Sequence, residues 1–172
     1  FSPPDITVSE VDLVSGALYS SWITTGPKTK EFERKIAEYC HTDKAVCLNS
    51  ATACMESILR VLGVGPGDEV ITSAYTYTAT ASVTCHVGAK VVMVDTAPDS
   101  FEMDYDKLVE AITPNTKVVI PVDLGGVICD YDRIYASLES KRHLFNPANE
   151  IQKLFGGCVA RWLTLHLSLF MR

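Results

Sequence analysis

The apolar residues of this chain switch repeatedly between a helical period and a strand period. Met55, Ile58, Leu59 and Leu62 follow the i, i+3, i+4, i+7 spacing of one helix face. Short apolar runs come before and after such stretches, as is typical of buried strands. Strands that alternate with helices predict an α/β fold in which helical crossovers join parallel strands. Helices are predicted at 9–20, 28–39, 53–62, 104–112 and from about 130, and strands at 45–48, 69–72, 89–94 and 116–122.

The segment 75–87 is compatible with two structures. Its β-branched residues favour a strand, whereas its length between two predicted strands favours a crossover helix. Both interpretations stay open on the sequence alone.

Composition narrows the class of protein. The chain has 172 residues, of which 47% are hydrophobic and 21% charged, so we expect a buried core. A net charge of −6 argues against nucleic acid as the main partner, and the apolar runs are too short to cross a bilayer. None of the six cysteines has the spacing of a zinc site, which predicts no metal and reduced thiols in a cytoplasmic protein.

The polar turn between a predicted strand and a predicted helix is a candidate phosphate site. Ser50 and Thr52 offer hydroxyl groups, and the small side chains of Ala51 and Ala53 allow an anion to approach the backbone. The amides at a helix N-terminus and the helix dipole both favour a phosphate group there. An ordinary serine or asparagine N-cap explains the same residues, and the residues alone favour that interpretation over a phosphate site.

Two further segments carry candidate ligand groups. Tyr77, after the second predicted strand, could stack on an aromatic cofactor ring, or it could be a core tyrosine. Thr24 and Thr25, in a loop that ends in Gly26-Pro27, could line a substrate mouth, or the loop could simply connect two helices.

Together these segments resemble the sugar-nucleotide aminotransferases of the DegT/DnrJ/StrS family. Each motif is short, but their order and spacing are specific, and the resemblance runs from about residue 1 to residue 155. The segments that carry it are 1–6 (FSPPDI), 22–27 (WITTGP), 49–53 (NSATA), 65–71 (GPGDEVI), 75–80 (YTYTAT) and 120–126 (IPVDLGG).

The resemblance implies the incomplete large domain of a type I pyridoxal-phosphate transferase, a three-layer αβα domain with a mainly parallel sheet. It implies a homodimer that moves an amino group from glutamate to a nucleotide-linked keto sugar. By the same resemblance, Tyr77 would stack on the ring of pyridoxal 5'-phosphate, and Thr24 and Thr25 would lie near the substrate. The residues implied around the cofactor phosphate are Ser50, Ala51, Thr52 and Ala53.

Two motifs that the family uses for catalysis are missing from the sequence. The family takes the lysine that binds the cofactor from an S-F-x-x-x-K-type block, and the carboxylate for the pyridine nitrogen from a D-A-A-H-type block. Neither block is present, and Lys153, on a predicted helix, matches neither. We therefore expect a truncated and inactive chain, with a non-catalytic dimerisation or binding module as the alternative.

The last segment, 156–172, differs in character from residues 1–155. Its leucines and aromatic residues show no pattern of charges that would face solvent. We hypothesise a shift of reading frame, because synonymous codons for these residues permit, in another frame, a serine- and phenylalanine-rich stretch like the family segment before the catalytic lysine. A buried strand or an amphipathic helix is the simpler alternative, and the coding DNA decides between them.

Overall fold

A computed structural model describes residues 3–154 of the chain. The hypothesis about residues 156–172 lies outside the described residues. The chain divides into two compact units, residues 1–49 and residues 50–172. Each unit is described by itself.

The first unit contains two helices, α1 (Val8–Tyr19) and α2 (Pro27–Tyr39). Thr7 caps α1 in a capping box with Glu10, in which the Thr7 hydroxyl accepts a hydrogen bond from the Ser9 amide at 3.3 Å. A proline opens α2, where its fixed φ suits the first helical turn. Both helices match their predicted positions within a residue.

The strand predicted at 45–48 is wrong. This segment is extended but belongs to no strand among the described residues. Val46 and Leu48 are exposed, so the apolar run that predicted a buried strand does not enter a core. Within the first unit, the Glu33 carboxylate accepts a hydrogen bond from the Cys47 amide at 3.0 Å and holds the segment beside α2.

The second unit alternates helices and strands. A 3₁₀ turn covers Leu124–Gly126, and another covers Arg142–Leu144. The regular elements are α3 (Ala51–Val61), β1 (Glu69–Ser73), α4 (Thr78–His86), β2 (Lys90–Val94), α5 (Tyr105–Ala111), β3 (Thr116–Ile120), α6 (Tyr131–Ser140) and α7 (Glu150–Leu154).

The three strands form a parallel sheet in the order β2-β1-β3, with β1 in the centre. Ile71 pairs with Val92 on one side and with Val119 on the other. Because both connections that return to the sheet pass through a helix, the sheet confirms the α/β prediction.

A separate hydrophobic core lies against each face of the sheet. Successive side chains of a strand point to opposite faces, and in β1 Val70 joins one core while Ile71 joins the other. The first core includes side chains of α3 and α4, and the second includes side chains of α5 and α6. The second unit therefore has three layers, helices–sheet–helices, as the resemblance implied.

The open question about 75–87 is answered in favour of a helix. Tyr75 and Thr76 lie in a bend, and α4 follows. The β-branched residues Thr80, Val83 and Thr84 are buried on the side of α4 that packs on the sheet. Tertiary packing therefore overrides their preference for strands.

None of the described helices combines the length and apolar character that a bilayer span requires. Within residues 3–154, no group of three or more His, Cys, Asp or Glu side chains is placed to hold a metal ion.

Candidate functional site

Helices α3 and α4 lie side by side and point in the same direction. Near the end of α4, the imidazole Nδ1 of His86 lies 2.9 Å from a carboxylate oxygen of Glu56, and the His86 carbonyl accepts a hydrogen bond from Arg60 at 3.4 Å. Beyond both helices, the Gly65 backbone approaches the Val87 carbonyl oxygen, which would lie 3.8 Å from a Cβ added at Gly65. The C-terminal ends of the two helices are therefore neighbours.

The connections fix the edge of the sheet at which these helices begin. Only four residues separate Ser73, the last residue of β1, from Thr78, the first of α4, so α4 starts at the carboxyl end of β1. The turn 63–68 leads from α3 to the amino end of β1, so α3 ends at the opposite edge. Since the helices are parallel, the first turns of both face the carboxyl edge of the sheet, where open α/β sheets bind ligands.

Ser50 is the N-cap of α3. Its backbone is extended, and its Oγ accepts a hydrogen bond from the Ala53 amide at 3.1 Å. The amides of Ala51 and Thr52 belong to the first turn, whose N–H groups have no acceptor in the helix itself. Ser50 and Ala51 are exposed, while Thr52 and Ala53 are half-buried, so an anion can reach this turn. The N-cap interpretation is confirmed, and it leaves amides available for a ligand.

The turn at Ser50 lies at the carboxyl edge for a different structural reason from the one that the sequence predicted. We expected a strand at 45–48 to deliver Ser50 to the carboxyl edge, but that segment is not a strand. The packing of α3 against α4 directs the turn to that edge instead.

Tyr77 is the N-cap residue of α4 and is 71% exposed. Its carbonyl accepts a hydrogen bond from the Thr80 amide at 3.0 Å, which fixes its backbone at the start of the helix. The alternative of a core tyrosine is therefore wrong. An exposed ring at the first turn of α4 is available to a ligand at the carboxyl edge.

An aromatic pair lies at the same edge, and the sequence did not single it out. The rings of Tyr75 and Phe101 stack with centroids 5.5 Å apart and planes inclined by 22°. Tyr75 follows β1, and Phe101 lies in the loop after β2. Because β1 and β2 are adjacent parallel strands, the loops after them meet at one edge, which is the signal that could have predicted the contact.

In the loop after β3, both oxygens of the buried Asp123 carboxylate accept hydrogen bonds. One oxygen of Asp123 accepts a hydrogen bond from the Cys129 amide at 2.9 Å, and the other accepts one from the Tyr131 hydroxyl at 2.9 Å. Burial, and then the charge of Asp123, raise the pKa of the Cys129 thiol to about 12. This group of side chains stabilises the loop after β3 and provides no reactive thiolate.

Thr24 and Thr25 lie in the first unit, a separate unit from the one that carries Ser50 and Tyr77. Both are exposed. The Thr25 carbonyl accepts a hydrogen bond from the Trp22 indole Nε1 at 3.0 Å, which closes the loop on itself. A cavity of about 250 Å³ next to this loop is lined by Gly16, Ala17, Ser20, Trp22, Thr24, Gly26, Pro27 and Lys28.

A parallel sheet covered by helices, with two helix N-termini and an exposed tyrosine at its carboxyl edge, places this unit in the class of open α/β domains, which bind ligands at that edge. The family follows from comparison with known proteins. Residues 4–144 match the model of the DegT/DnrJ/EryC1/StrS aminotransferase family, and the chain belongs to this family.

Similar proteins agree with this assignment. A protein of Streptococcus pneumoniae described as a sugar aminotransferase has 59% sequence identity to this chain and a TM-score of 0.86. The match covers 92% of this chain and 40% of that protein, whose structure is known in apo, PMP and PLP forms. The spore coat polysaccharide biosynthesis protein SpsC of Bacillus subtilis is 42% identical over 136 residues, 79% of this chain and 35% of that protein. The UDP-4-amino-4-deoxy-L-arabinose–oxoglutarate aminotransferase of Shewanella sediminis is 43% identical over 132 residues, 77% of this chain and 34% of that protein.

This chain therefore spans between a third and two-fifths of the length of these relatives. Its fold matches that of the type I pyridoxal-phosphate aminotransferases among the solved structures, of which it forms a partial domain.

Proposed function

We propose that this chain is the cofactor-binding part of a pyridoxal-phosphate-dependent sugar aminotransferase. The observation that carries the proposal is the parallel packing of α3 and α4, which turns the Ser50 turn and Tyr77 toward the same edge of the sheet. A phosphate group and an aromatic ring on one small molecule match these two features.

The residues of the turn fit a phosphate group. The first turn of α3 offers amides, the hydroxyls of Ser50 and Thr52 add donors, and Ala51 and Ala53 present only methyl groups beside the backbone. No acidic residue lies in that first turn to repel an anion. Ser50, Ala51, Thr52 and Ala53 would therefore hold the phosphate of the cofactor.

Tyr77 fits the ring of the cofactor. Its side chain is exposed on a backbone that the start of α4 holds in place. Stacking of two aromatic rings contributes about 0.5–1.5 kcal/mol beyond the area that it buries. When it is bound, pyridoxal 5'-phosphate supplies an electron sink for amino-group transfer. The residues of this chain would bind and orient it and cover one face of its ring.

The substrates follow from the relatives. The names of these relatives include a sugar aminotransferase and an oxoglutarate aminotransferase that acts on a nucleotide-linked sugar. We propose a nucleotide-linked keto sugar as amino acceptor and glutamate as donor, with Thr24 and Thr25 near the sugar. From the family resemblance we also propose a cytoplasmic homodimer. The net charge of −6 favours neither nucleic acid nor an anionic membrane surface as a partner.

Transamination by this chain is not expected. The 172 residues include no S-F-x-x-x-K-type block and no D-A-A-H-type block, so the family's lysine and carboxylate are not supplied. We propose that the chain binds the cofactor reversibly and does not catalyse transfer. An absorbance band from a cofactor bound covalently to a lysine of this chain, with transfer activity, would contradict this proposal.

Titration with pyridoxamine 5'-phosphate tests binding, because this form has no aldehyde to react with other lysines. Ala51→Asp keeps the helix, since an acidic residue suits the first turn, but it places a negative charge against the phosphate. We expect this variant to lose about tenfold or more in affinity. Ser9→Asp, which adds the same charge to the first turn of α1, is the matched control and should bind as the unmodified chain does. Equal affinity of Ala51→Asp and the control would refute the phosphate assignment.

The alternative function is a module that only dimerises or binds. It is favoured by the surface of α1, where Val8, Val11, Leu13, Val14 and Leu18 are each more than half exposed. An apolar helix surface of this kind marks an association site in many proteins. Dimerisation without any affinity for pyridoxamine 5'-phosphate would favour this alternative.

A further inference from the structure

The loop between β2 and α5, residues 95–104, is held together by its own hydrogen bonds. Thr96 and Met103 form an antiparallel bridge, and the Ala97 amide donates to the Glu102 carbonyl at 3.0 Å. Met103 is buried in the second core, which anchors the returning end of the loop. This loop is therefore a fixed support.

Phe101 projects from this support and is 61% exposed. Its ring stacks on that of Tyr75, which is 53% exposed, with the ring centroids 5.5 Å apart. Burial in a core cannot account for the position of either ring. The stack of the two rings is therefore a contact that orders each of them.

The segment that carries Tyr77 is held on both sides. On the N-terminal side, the Tyr75 ring rests on Phe101, and the Tyr75 amide donates to Ser73 Oγ at 3.2 Å. On the C-terminal side, the Thr76 and Thr80 hydroxyl oxygens lie 2.8 Å apart, and the Thr80 amide donates to the Tyr77 carbonyl. The Tyr77 side chain itself remains exposed between these contacts.

We infer that Phe101 is a positioning residue for the ring-binding site: through its stack with Tyr75, it holds the loop after β1 so that Tyr77 faces a bound ring. This inference rests on the proposed function, and it deepens it by assigning a role to the loop after β2. Fixing the loop in advance reduces the ordering that a ligand would otherwise have to impose. The Ser50 turn lies on another element, so its affinity for phosphate does not depend on Phe101.

Two probes separate this role from a general structural one. Pyridoxamine 5'-phosphate reports the ring and the phosphate together, and inorganic phosphate reports the Ser50 turn alone. For Phe101→Ala we expect the affinity for pyridoxamine 5'-phosphate to fall about three- to tenfold, the size of one lost aromatic contact, with no change for inorganic phosphate. The ring protons of the bound probe should also lose part of the upfield NMR shift that stacking on Tyr77 produces. Phe101→Tyr retains the stack, and it should restore the affinity for pyridoxamine 5'-phosphate and the upfield shift of its ring protons.

Phe32→Ala is the matched control, because Phe32 is an exposed phenylalanine of similar exposure, 56%, in the first unit. It should bind both probes as the unmodified chain does. An unchanged affinity of Phe101→Ala for pyridoxamine 5'-phosphate, or an equal loss for both probes, overturns the inference and leaves the proposed function standing. If the unmodified chain binds no pyridoxamine 5'-phosphate, the proposed function fails and the inference fails with it.

Discussion

The carboxylate of Glu69 and the ammonium group of Lys90 join the first residues of β1 and β2, with Lys90 Nζ 2.8 Å from Glu69 Oε1. The other carboxylate oxygen accepts a hydrogen bond from the Thr113 hydroxyl at 2.6 Å. Burial by itself raises the pKa of Glu69, but the hydrogen bonds from Lys90 and Thr113 outweigh it, so the pKa is lowered. This ion pair thus fixes the amino edge of the sheet, opposite the candidate site.

Removing the ammonium group should destabilise the sheet at neutral pH. Lys90→Met leaves a buried carboxylate with one hydrogen-bond donor fewer. Because Lys90 is 70% exposed, water screens the pair, and we expect a loss of only about 0.5–1 kcal/mol in the free energy of unfolding. Urea denaturation at pH 7 measures the difference in the free energy of unfolding. Lys107→Met is the control, because the nearest carboxylate oxygens lie 3.9 Å from Lys107 Nζ, which is too far for a hydrogen bond.

The effect of Lys90→Met should depend on pH with a defined sign. A carboxyl group whose pKa is lowered in the folded state stabilises the protein above its unfolded pKa, and this stabilisation is lost as the pH falls through the folded pKa. The two chains should therefore differ in stability above about pH 4.5 and converge below it. A difference that grows on acidification would contradict the assignment of this pair.

The thiols should differ sharply in reactivity. Cys129 is buried, its Sγ donates to the Val122 carbonyl at 3.3 Å, and its pKa is raised to about 12, so almost no thiolate exists at pH 8. Cys40 and Cys85 are exposed. In the folded protein at pH 8, we expect a maleimide to label Cys40 and Cys85 and to spare Cys129, as peptide mass spectrometry can measure. Labelling of Cys129 should appear only in denaturant, and rapid labelling without denaturant would show that its environment is different.

The fold of the second unit could be predicted because its local signals agree with its packing. β1 and β3 are short β-branched runs that are buried throughout, so their composition matches their environment. The predicted strand at 45–48 is also a short apolar run, but apolar character does not show whether a partner strand is available. Val46 is 75% exposed, and this one misplaced element is an error of tertiary context.

The sequence identified the residues of the candidate site, but it did not predict the packing contacts that bring them to one edge of the sheet. The Ser50 turn and Tyr77 follow local rules for caps and loops, and the sequence identified both. The parallel packing that directs them to one edge comes from the apolar side chains that α3 and α4 share in the first core, and Glu56, Arg60 and His86 add polar contacts that no local pattern in the sequence reveals. The stack of Tyr75 on Phe101 joins residues of two loops, and no local pattern encodes it.

The loop that carries Thr24 and Thr25 should lose its shape when Gly26 gains a side chain. A Cβ at Gly26 would lie 2.1 Å from the Trp22 indole ring, so the indole must move and lose its hydrogen bond to Thr25. We expect Gly26→Ala to destabilise the chain by about 1–3 kcal/mol. In a Trp162→Phe background, the single indole N–H signal in NMR should also exchange faster with solvent.

Gly16→Ala is the matched control for this change. Gly16 lies inside α1, and nothing comes within 4 Å of a Cβ added there. Alanine should stabilise the helix at this position by about 0.5–1 kcal/mol and leave the indole signal unchanged. If both alanine variants behave alike, the contact between Trp22 and Gly26 does not shape the loop.

The exposed edge of the sheet should promote self-association, and Met93 offers a way to test this. Val92 and Val94 of β2 face the second core, so Met93 points to the opposite face, where it is 56% exposed. Among the described residues, β2 pairs only with β1, which leaves its other edge open to another chain. A lysine on an edge strand opposes such pairing because its charge would have to be buried.

We expect Met93→Lys to shift sedimentation velocity profiles toward the monomer, while Met93→Leu associates as the unmodified chain does. If association persists unchanged in Met93→Lys, the contact lies elsewhere, and the apolar side chains of α1 become the surface to change next.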